Sequence, residues 1–271
     1  MSGESVSEDT AKYLVIADEL RTRIISGAVA PGARLPGENE LIRRHGVARM
    51  TARQALSVLQ AEGLTVARKG AGVFVRDFRP VRRRVWDRSR PPGLPAADRD
   101  GASLGRAPAP VTAVPRSPFP TRVDGRAPAL DEVQVFPDAA SPVVAGALGV
   151  EPGSSVWVRT RRFALDGKPV MISVSYLPGD LVAGSPITEQ DPGPGGTEAR
   201  LAELGHPPAR ITEELRARMP MRYEAADLKL PPGTAVIVLC RTAFDPAGRP
   251  VEFTKMTMDA DAFVLEYGLN A

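Results

Sequence analysis

Cysteine and histidine are nearly missing from this chain. Cys240 is the only cysteine among 271 residues, so no intrachain disulfide can form and no thiolate metal cluster can be built. His45 and His206 are the only histidines, and with a lone cysteine they leave no zinc-ligand set. Long apolar runs are missing too: no stretch approaches the roughly 18–20 residues that a membrane-spanning helix needs. The opening residues, MSGESVSEDTAKYLV, carry acids where a secretory signal carries a basic end and an apolar core. The glycine fingerprints of nucleotide loops and dinucleotide folds do not occur, nor does a serine-nucleophile elbow. These absences predict a cytoplasmic chain without metal or cofactor. What remains, 43% hydrophobic and 25% charged residues, is a globular composition, and 271 residues suit two domains.

Charge is unevenly spread. Residues 11–90 hold 17 Lys and Arg against 7 Asp and Glu, whereas residues 91–271 hold 18 against 22. A basic front end on a slightly acidic remainder suits a polyanion-binding module joined to something else. Within that front end, Tyr13, Ile16, Ala17, Leu20, Ile24 and Ile25 recur at helical spacing, with Gly27 beyond them. Glu38 to His45 reads as a short second helix between Gly37 and Gly46. Ala48 to Glu62 reads as a third, with Ala52, Ala55, Leu56 and Leu59 inward. LTVAR, KGAG and VFVR then make a hairpin with a basic, glycine-rich tip. Helices in this order followed by a ribbon form a winged helix-turn-helix, predicted over residues 11–78.

The chemistry of that module points to the major groove of DNA, which admits a helix whose N-terminal side chains meet base edges. Arg49 and Arg53 are four apart and share a face, with Thr51 between them. Arginine pairs bidentately with guanine, and a threonine methyl packs on thymine, so Arg53 ranks first for base reading and Arg49 second. Lys69 and Gly70 at the wing tip suit the backbone or the minor groove. Asn39, at the start of the second helix, suits a phosphate. Surface ion pairs are the alternative use of both arginines.

Residues 13–76 closely resemble the GntR family of bacterial transcription regulators. The matching segments are LPGENEL, VARMTARQAL, AEGL and KGAGVFV. The resemblance implies operator contacts from Arg49, Thr51 and Arg53, and a wing contact from Lys69-Gly70. Three departures stand out: Gly37 and Ala48 replace the usual capping residues of the second and third helices, and Asn39 stands where many members carry arginine. Losing a cap costs about 1 kcal/mol.

Residues 79–130, rich in Pro, Gly, Ala and Arg, read as a partly disordered linker. From Asp131 the pattern turns to strands, among them a hairpin about Asp166-Gly167 and another about DPAGR. AGALGVEPGSSVWVRTRRFALDGKPV also echoes AADLKLPPGTAVIVLCRTAFDPAGRPV. The echo suggests one α+β domain of two similar halves with a cleft between them, chance similarity of two hairpins being the alternative. The sequence offers Arg159 and Arg161 on one strand face, Arg241 across from Glu252, and Ser175 and Tyr176 at a strand end. Inward-facing arginines suit an anionic ligand; surface ladder pairs are the bland alternative.

Residues 131–271 resemble the UTRA effector domain of the HutC-type subfamily, an antiparallel-sheet fold shared with chorismate lyase. The resemblance implies a ligand-responsive repressor that binds an inverted-repeat operator as a homodimer. It implies a pocket drawing on Arg161, Ser175 and Glu252 for a phosphorylated sugar or a carboxylate. Two other readings stay open: a second domain that only dimerises, and a chorismate-lyase-like enzyme. The enzyme lacks an evident acid–base pair and leaves the basic head unexplained, so a non-enzymatic regulator is the expectation.

Overall fold

A computed structural model describes residues 4–77, 80–86 and 129–268. The chain divides into two compact units. The first is built from Met1–Pro80 with Ala217–Val236 and Asp259–Ala262; the second holds Val81–Arg216, Ile237–Met258 and Phe263–Ala271.

The first unit opens with α1 (Glu4–Ile25), α2 (Glu38–His45) and α3 (Arg49–Ala61), followed by β1 (Thr65–Arg68) and β2 (Gly72–Val75). The predicted helix-spaced residues make its core. Ile16, Ala17 and Leu20 of α1 meet Leu41 of α2 and Ala52, Ala55, Leu56 and Leu59 of α3, with Leu35, Val47 and Val75 filling between. Fully burying one such leucine is worth about 1.5–3 kcal/mol. Ile25 is the exception, at 71% exposed beyond the last packed turn. Gly46 ends α2 in the left-handed region and returns its N–H to Ile42. Ala48 starts α3 in an extended conformation, and its methyl offers no cap to the first turn. β1 and β2 pair antiparallel from Thr65–Val75 to Arg68–Gly72, and β2 is held on its other side where Leu35 N–H donates to Val73 and Val75 N–H donates to Ala33.

The second unit follows with β3 (Val81–Trp86), β4 (Ala129–Ala139), α4 (Pro142–Leu148), β5 (Ser155–Leu165), β6 (Lys168–Pro178), α5 (Gly179–Val182), a 3-10 turn at Pro186–Thr188, α6 (Gly196–Glu203) and β7 (Arg210–Arg218). Then come α7 (Arg222–Asp227), which belongs to the first unit, and β8 (Val236–Phe244), β9 (Pro250–Asp259) and β10 (Phe263–Gly268). Six strands form one sheet in the order β4-β5-β6-β9-β8-β7. The turn between β5 and β6 is Asp166-Gly167, both at positive φ (52° and 77°), which is the geometry a two-residue hairpin requires. α4 packs Val144, Ala145 and Leu148 on one sheet face against Val156, Val158 and Phe253. Leu201 of α6 joins Leu177, Ile187, Ala243 and Val251 in a separate cluster.

The sequence echo is a structural repeat. β5-β6 and β8-β9 are the two hairpins, and β6 meets β9 at the middle of the sheet, so the order runs inward to the centre and outward again. The antiparallel register aligns Val174 with Lys255 and Ser175 with Thr254. Matching Pro169-Val170 to Pro250-Val251 makes Val174 and Lys255 equivalent residues, so the repeat axis passes beside that pair. Matching Pro152-Gly153 to Pro232-Gly233 along β5 and β8 puts Arg161 and Arg241 in equivalent places.

Several elements differ from expectation. Residues 81–86, read as linker, form β3 and pair in parallel with β10 from Val81–Phe263 to Trp86–Gly268. That partner lies at the far end of the chain, where no local pattern reveals it. β4, expected from Asp131, begins at Ala129. β7, RITEELRAR, is an edge strand whose mainly exposed side chains hide its period. The segment GDLVAGSPITEQDPGPGG, which its sequence reads as one long loop, holds α5 and the 3-10 turn. The predicted disorder of the linker falls on residues 87–128, outside the described residues.

Candidate functional site

Two candidate sites lie in separate units. On the first, α3 presents Arg49, Met50, Arg53 and Gln54 to solvent. Arg53 is caught by Glu38, with Nε 2.8 Å from Oε1 and Nη2 3.3 Å from Oε2. Each raises the other's hold on its charge: the hydrogen bond lifts the Arg53 pKa and keeps Glu38 below the usual carboxylate range. Arg49 donates more loosely to the Asn39 side chain, at 3.4 Å. Predicted residues Asn39, Arg49 and Arg53 therefore gather where α2 and α3 begin. Thr51 does not join them. It is 5% exposed and turned into the helix packing, because residues two apart on a helix do not share a face. Its methyl is not offered to a base edge.

Lys69 and Gly70 are exposed at the wing tip, as expected. Arg68 lies over the Phe74 ring at 4.5 Å, which stiffens the wing while keeping a cation on it. The sequence reading missed Arg34. An isolated bridge to Phe74 brings it to the wing, and its Nε would sit 2.9 Å from any Cβ placed on Gly72. The wing therefore carries Arg34 as well as Arg68 and Lys69. Nothing in the sequence around Arg34 marks that placement, which depends on pairing across 40 residues.

In the second unit a cavity of about 230 Å³ opens beside the start of α6. Its walls include Arg159 and Arg161 of β5, Arg241 of β8, and Glu252 and Thr254 of β9. Alternation along each strand delivers these residues to one side. Arg159 is 4% exposed and donates to the carbonyls of Glu189, at 2.6 Å, and Gln190. Burial lowers the pKa of both Arg159 and Arg161.

Arg161 begins a relay. Its Nη2 donates to Ser175 Oγ at 3.0 Å; Ser175 and Thr254 hydroxyls lie 2.8 Å apart; Thr254 Oγ1 donates to Glu252 Oε1 at 3.1 Å. The carboxylate only accepts, so Thr254 spends its proton there and must take one from Ser175. Ser175 in turn accepts from Arg161. Every proton in the chain is thereby oriented from guanidinium to carboxylate. The Nε of Arg161 is buried without a hydrogen-bond partner. Arg241 stands 3.6 Å from Glu198 of α6.

Of the residues predicted for this pocket, Arg159, Arg161, Arg241 and Glu252 line it, and Ser175 lies behind it within the relay. Tyr176 does not belong. It projects from the opposite sheet face and stacks on Phe253, with ring centroids 6.0 Å apart, because neighbouring strand residues point to opposite sides. Asp191, Thr197 and Glu198 are lining residues that sequence reasoning missed. They come from a loop and a helix start that fold back over the sheet, and only the run DPGPGG hinted at that turn. Cys240 lies on the Tyr176 side, and burial pushes its thiol pKa up, which argues against a reactive thiolate. Among the described residues no group of three His, Cys, Asp or Glu gathers as a metal site, and no helix is long and apolar enough to cross a membrane.

Comparison with known proteins agrees with this geometry. The model of bacterial regulatory proteins of the gntR family matches residues 12–75, and the UTRA domain model matches residues 125–264. An HTH-type transcriptional regulator of Streptomyces coelicolor is 31% identical over 89% of this chain and 86% of its own length. The HTH-type transcriptional repressor NagR of Bacillus subtilis is 26% identical over 95% of this chain and 94% of its own. A solved GntR-family transcriptional regulator aligns with TM-score 0.64 at 29% identity, over 96% of this chain and 98% of that one. PhnF from Mycobacterium smegmatis shares the fold, with TM-score 0.51 at 21% identity over 94% of this chain and 99% of that one. These relatives are transcriptional regulators rather than enzymes. A DNA-binding head with an effector domain behind it, matched over both its parts, places this chain in the GntR family of bacterial transcriptional regulators, in the group that carries a UTRA domain.

Proposed function

We propose that this protein acts in the cytoplasm as a homodimeric repressor, which binds an inverted-repeat operator and changes its grip when a small anionic effector enters the second unit. The observation that carries the DNA half is the exposed pair Arg49 and Arg53 at the start of α3, flanked by a wing bearing Lys69. Two arginines four apart on a helix N-terminus suit adjacent base edges, and two-fold symmetry repeats them on a second half-site. Glu38 holds Arg53 until guanine replaces it. Asn39 and Gly70 serve the phosphate backbone. Repression is carried over from the Bacillus relative, a transcriptional repressor, and dimerisation follows from the symmetry such operators demand.

For the effector, Arg161 is the anchor. It is a guanidinium lining a cavity of about 230 Å³, room for a metabolite carrying a phosphate or carboxylate. Effector binding acts on DNA only through unequal affinity for two arrangements of the protein. A second reading, in which the UTRA unit only dimerises, draws support from one feature: Arg159, Arg161 and Arg241 each already face a protein partner.

Fluorescence anisotropy on DNA from upstream of the protein's own gene, with wild type and Arg53→Ala at two salt concentrations, tests the DNA reading. Tight wild-type binding, lost at one inverted repeat in the variant, supports it. Equal, salt-sensitive affinity for every duplex refutes it. A thermal-shift panel of sugar phosphates, amino acids and nucleotides then separates the effector reading from dimerisation alone, since the latter predicts no ligand-dependent shift.

A further inference from the structure

The first unit contains a seat for the end of the reading helix that DNA contact alone does not explain. Gly63 and Gly233 lie back to back, both at positive φ (75° and 78°). A Cβ on Gly233 would fall 1.8 Å from the carbonyl oxygen of Gln60, in the last turn of α3, and 3.3 Å from the Gly63 nitrogen. A Cβ on Gly63 would meet the Gly233 carbonyl at 3.0 Å. Backbone thus touches backbone, with no side chain to yield.

Beside this contact, Arg76 leaves the end of β2 and sinks into the turns at 231–234 and 259–262. Its side chain is 10% exposed. Nη1 donates to Thr234 Oγ1 at 2.6 Å and to the Asp261 carboxylate, and Nη2 donates to the Pro232 carbonyl at 3.1 Å. Asp261 is fixed in turn, its N–H donating to Asp259 at 2.9 Å. A guanidinium shared by three acceptors on two turns is a directional clamp, since its fork geometry admits few orientations. One turn opens β8 and the other closes β9. The winged helix is therefore held at α3 and at β2 by two turns of its own compact unit, one leading into β8 and the other out of β9.

We infer that Arg76 and Gly233 are positioning residues for operator recognition: they fix the reading helix against these turns, and so set which half-site spacing the dimer accepts. The inference rests on the dimeric operator reading above. One added base pair carries a half-site about 3.4 Å along the duplex and about 35° around it. A head tied only by a flexible segment follows such a shift at little cost. A head clamped at two points cannot, so spacing becomes part of the sequence code. Neither residue needs to touch a base for this.

The test uses the full-length chain and duplexes built from its best half-site, either single or as inverted repeats whose spacer varies in one-base-pair steps. Wild type is expected to prefer one spacer about tenfold over its neighbours. Gly233→Ala and Arg76→Ala should reduce that preference to about threefold or less while single half-site affinity holds. Asp261→Asn keeps the shape of the clamp, removes its charge, and should fall between. Variants that fold, bind a half-site normally and keep the wild-type spacing preference overturn the inference. So does a wild type indifferent to spacing. Loss of half-site binding in all three variants also overturns it, because the contact then serves the fold of the head rather than its placement. If wild type binds no inverted repeat preferentially, the operator reading itself fails, which is a separate result.

Discussion

Arg53 and Arg161 are the same side chain in opposite settings. Arg53 is exposed on α3 and faces a half-exposed carboxylate, Glu38, at 2.8 Å. Arg161 lies in a cavity wall and hands its proton donors to a serine, a threonine and finally Glu252. An exposed ion pair in water is worth little, so Arg53 can exchange Glu38 for a base at small cost. A buried guanidinium is expensive to leave unmatched, so Arg161 is solvated by protein groups, which on the proposed effector reading a ligand would replace. The first arrangement favours fast, salt-sensitive exchange with a polyanion; the second favours selection among small molecules.

The comparison can be broken from either side. The largest effect should come from Arg53→Ala, which costs about 1–3 kcal/mol of operator binding and relaxes preference at one base position. Anisotropy across single-base operator variants measures both; an equal loss on all sequences would reassign Arg53 to the phosphates. Lys69→Ala should show the uniform pattern instead, with the slope of log affinity against log salt reduced by about 1. Arg161→Met should erase any thermal shift given by an anionic ligand and lower stability by up to about 3–5 kcal/mol, because removing one partner leaves the chain to Glu252 without its cation. A persistent ligand shift would move the anchor to Arg241.

Ala48→Ser tests the reading helix at its start. The missing cap should return about 1 kcal/mol in denaturant unfolding. If the new hydroxyl also reaches a phosphate, operator affinity rises with it. The smallest effect concerns the edge of the second unit, where His206 Nδ1 meets Asp245 Oδ2 at 2.8 Å. That hydrogen bond is the main cause holding the Asp245 carboxyl below its ordinary range. A depressed carboxylate adds stability above its unfolded pKa and loses it as pH falls through the folded value. Thermal melts from pH 6 downward should therefore drop less steeply in Asp245→Asn than in wild type below about pH 4. Parallel curves would remove Asp245 from the acid response.

The head was more legible in the sequence than the pocket, for a physical reason. Helix periodicity, glycine stops and a basic hairpin are local signals, and Leu41, Ala52, Ala55, Leu56 and Leu59 all point where their spacing says. Asn39, Arg49 and Arg53 come together because two short helices start beside each other. The pocket is assembled from β5, β8, β9 and α6, and its carboxylates Asp191 and Glu198 arrive from a segment without a period. Strand alternation was enough to seat Arg159 and Arg161 side by side; the same rule, applied to neighbours, removes Tyr176. Thr51 fails similarly on a helix. β3 escaped notice because its partner is β10, and a parallel pairing between segments so far apart in sequence leaves no trace in either one alone.

The duplicated sheet has a consequence for handedness. Arg161 and Arg241 descend on the cavity from matching places in the two halves, so the frame alone would greet a molecule and its end-for-end reversal alike. The company they keep removes that ambiguity: hydroxyls follow Arg161, and a carboxylate faces Arg241 at 3.6 Å. On the proposed effector reading, a metabolite entering this pocket has a head and a tail imposed on it, and compounds that differ only in which end bears the charge should be told apart.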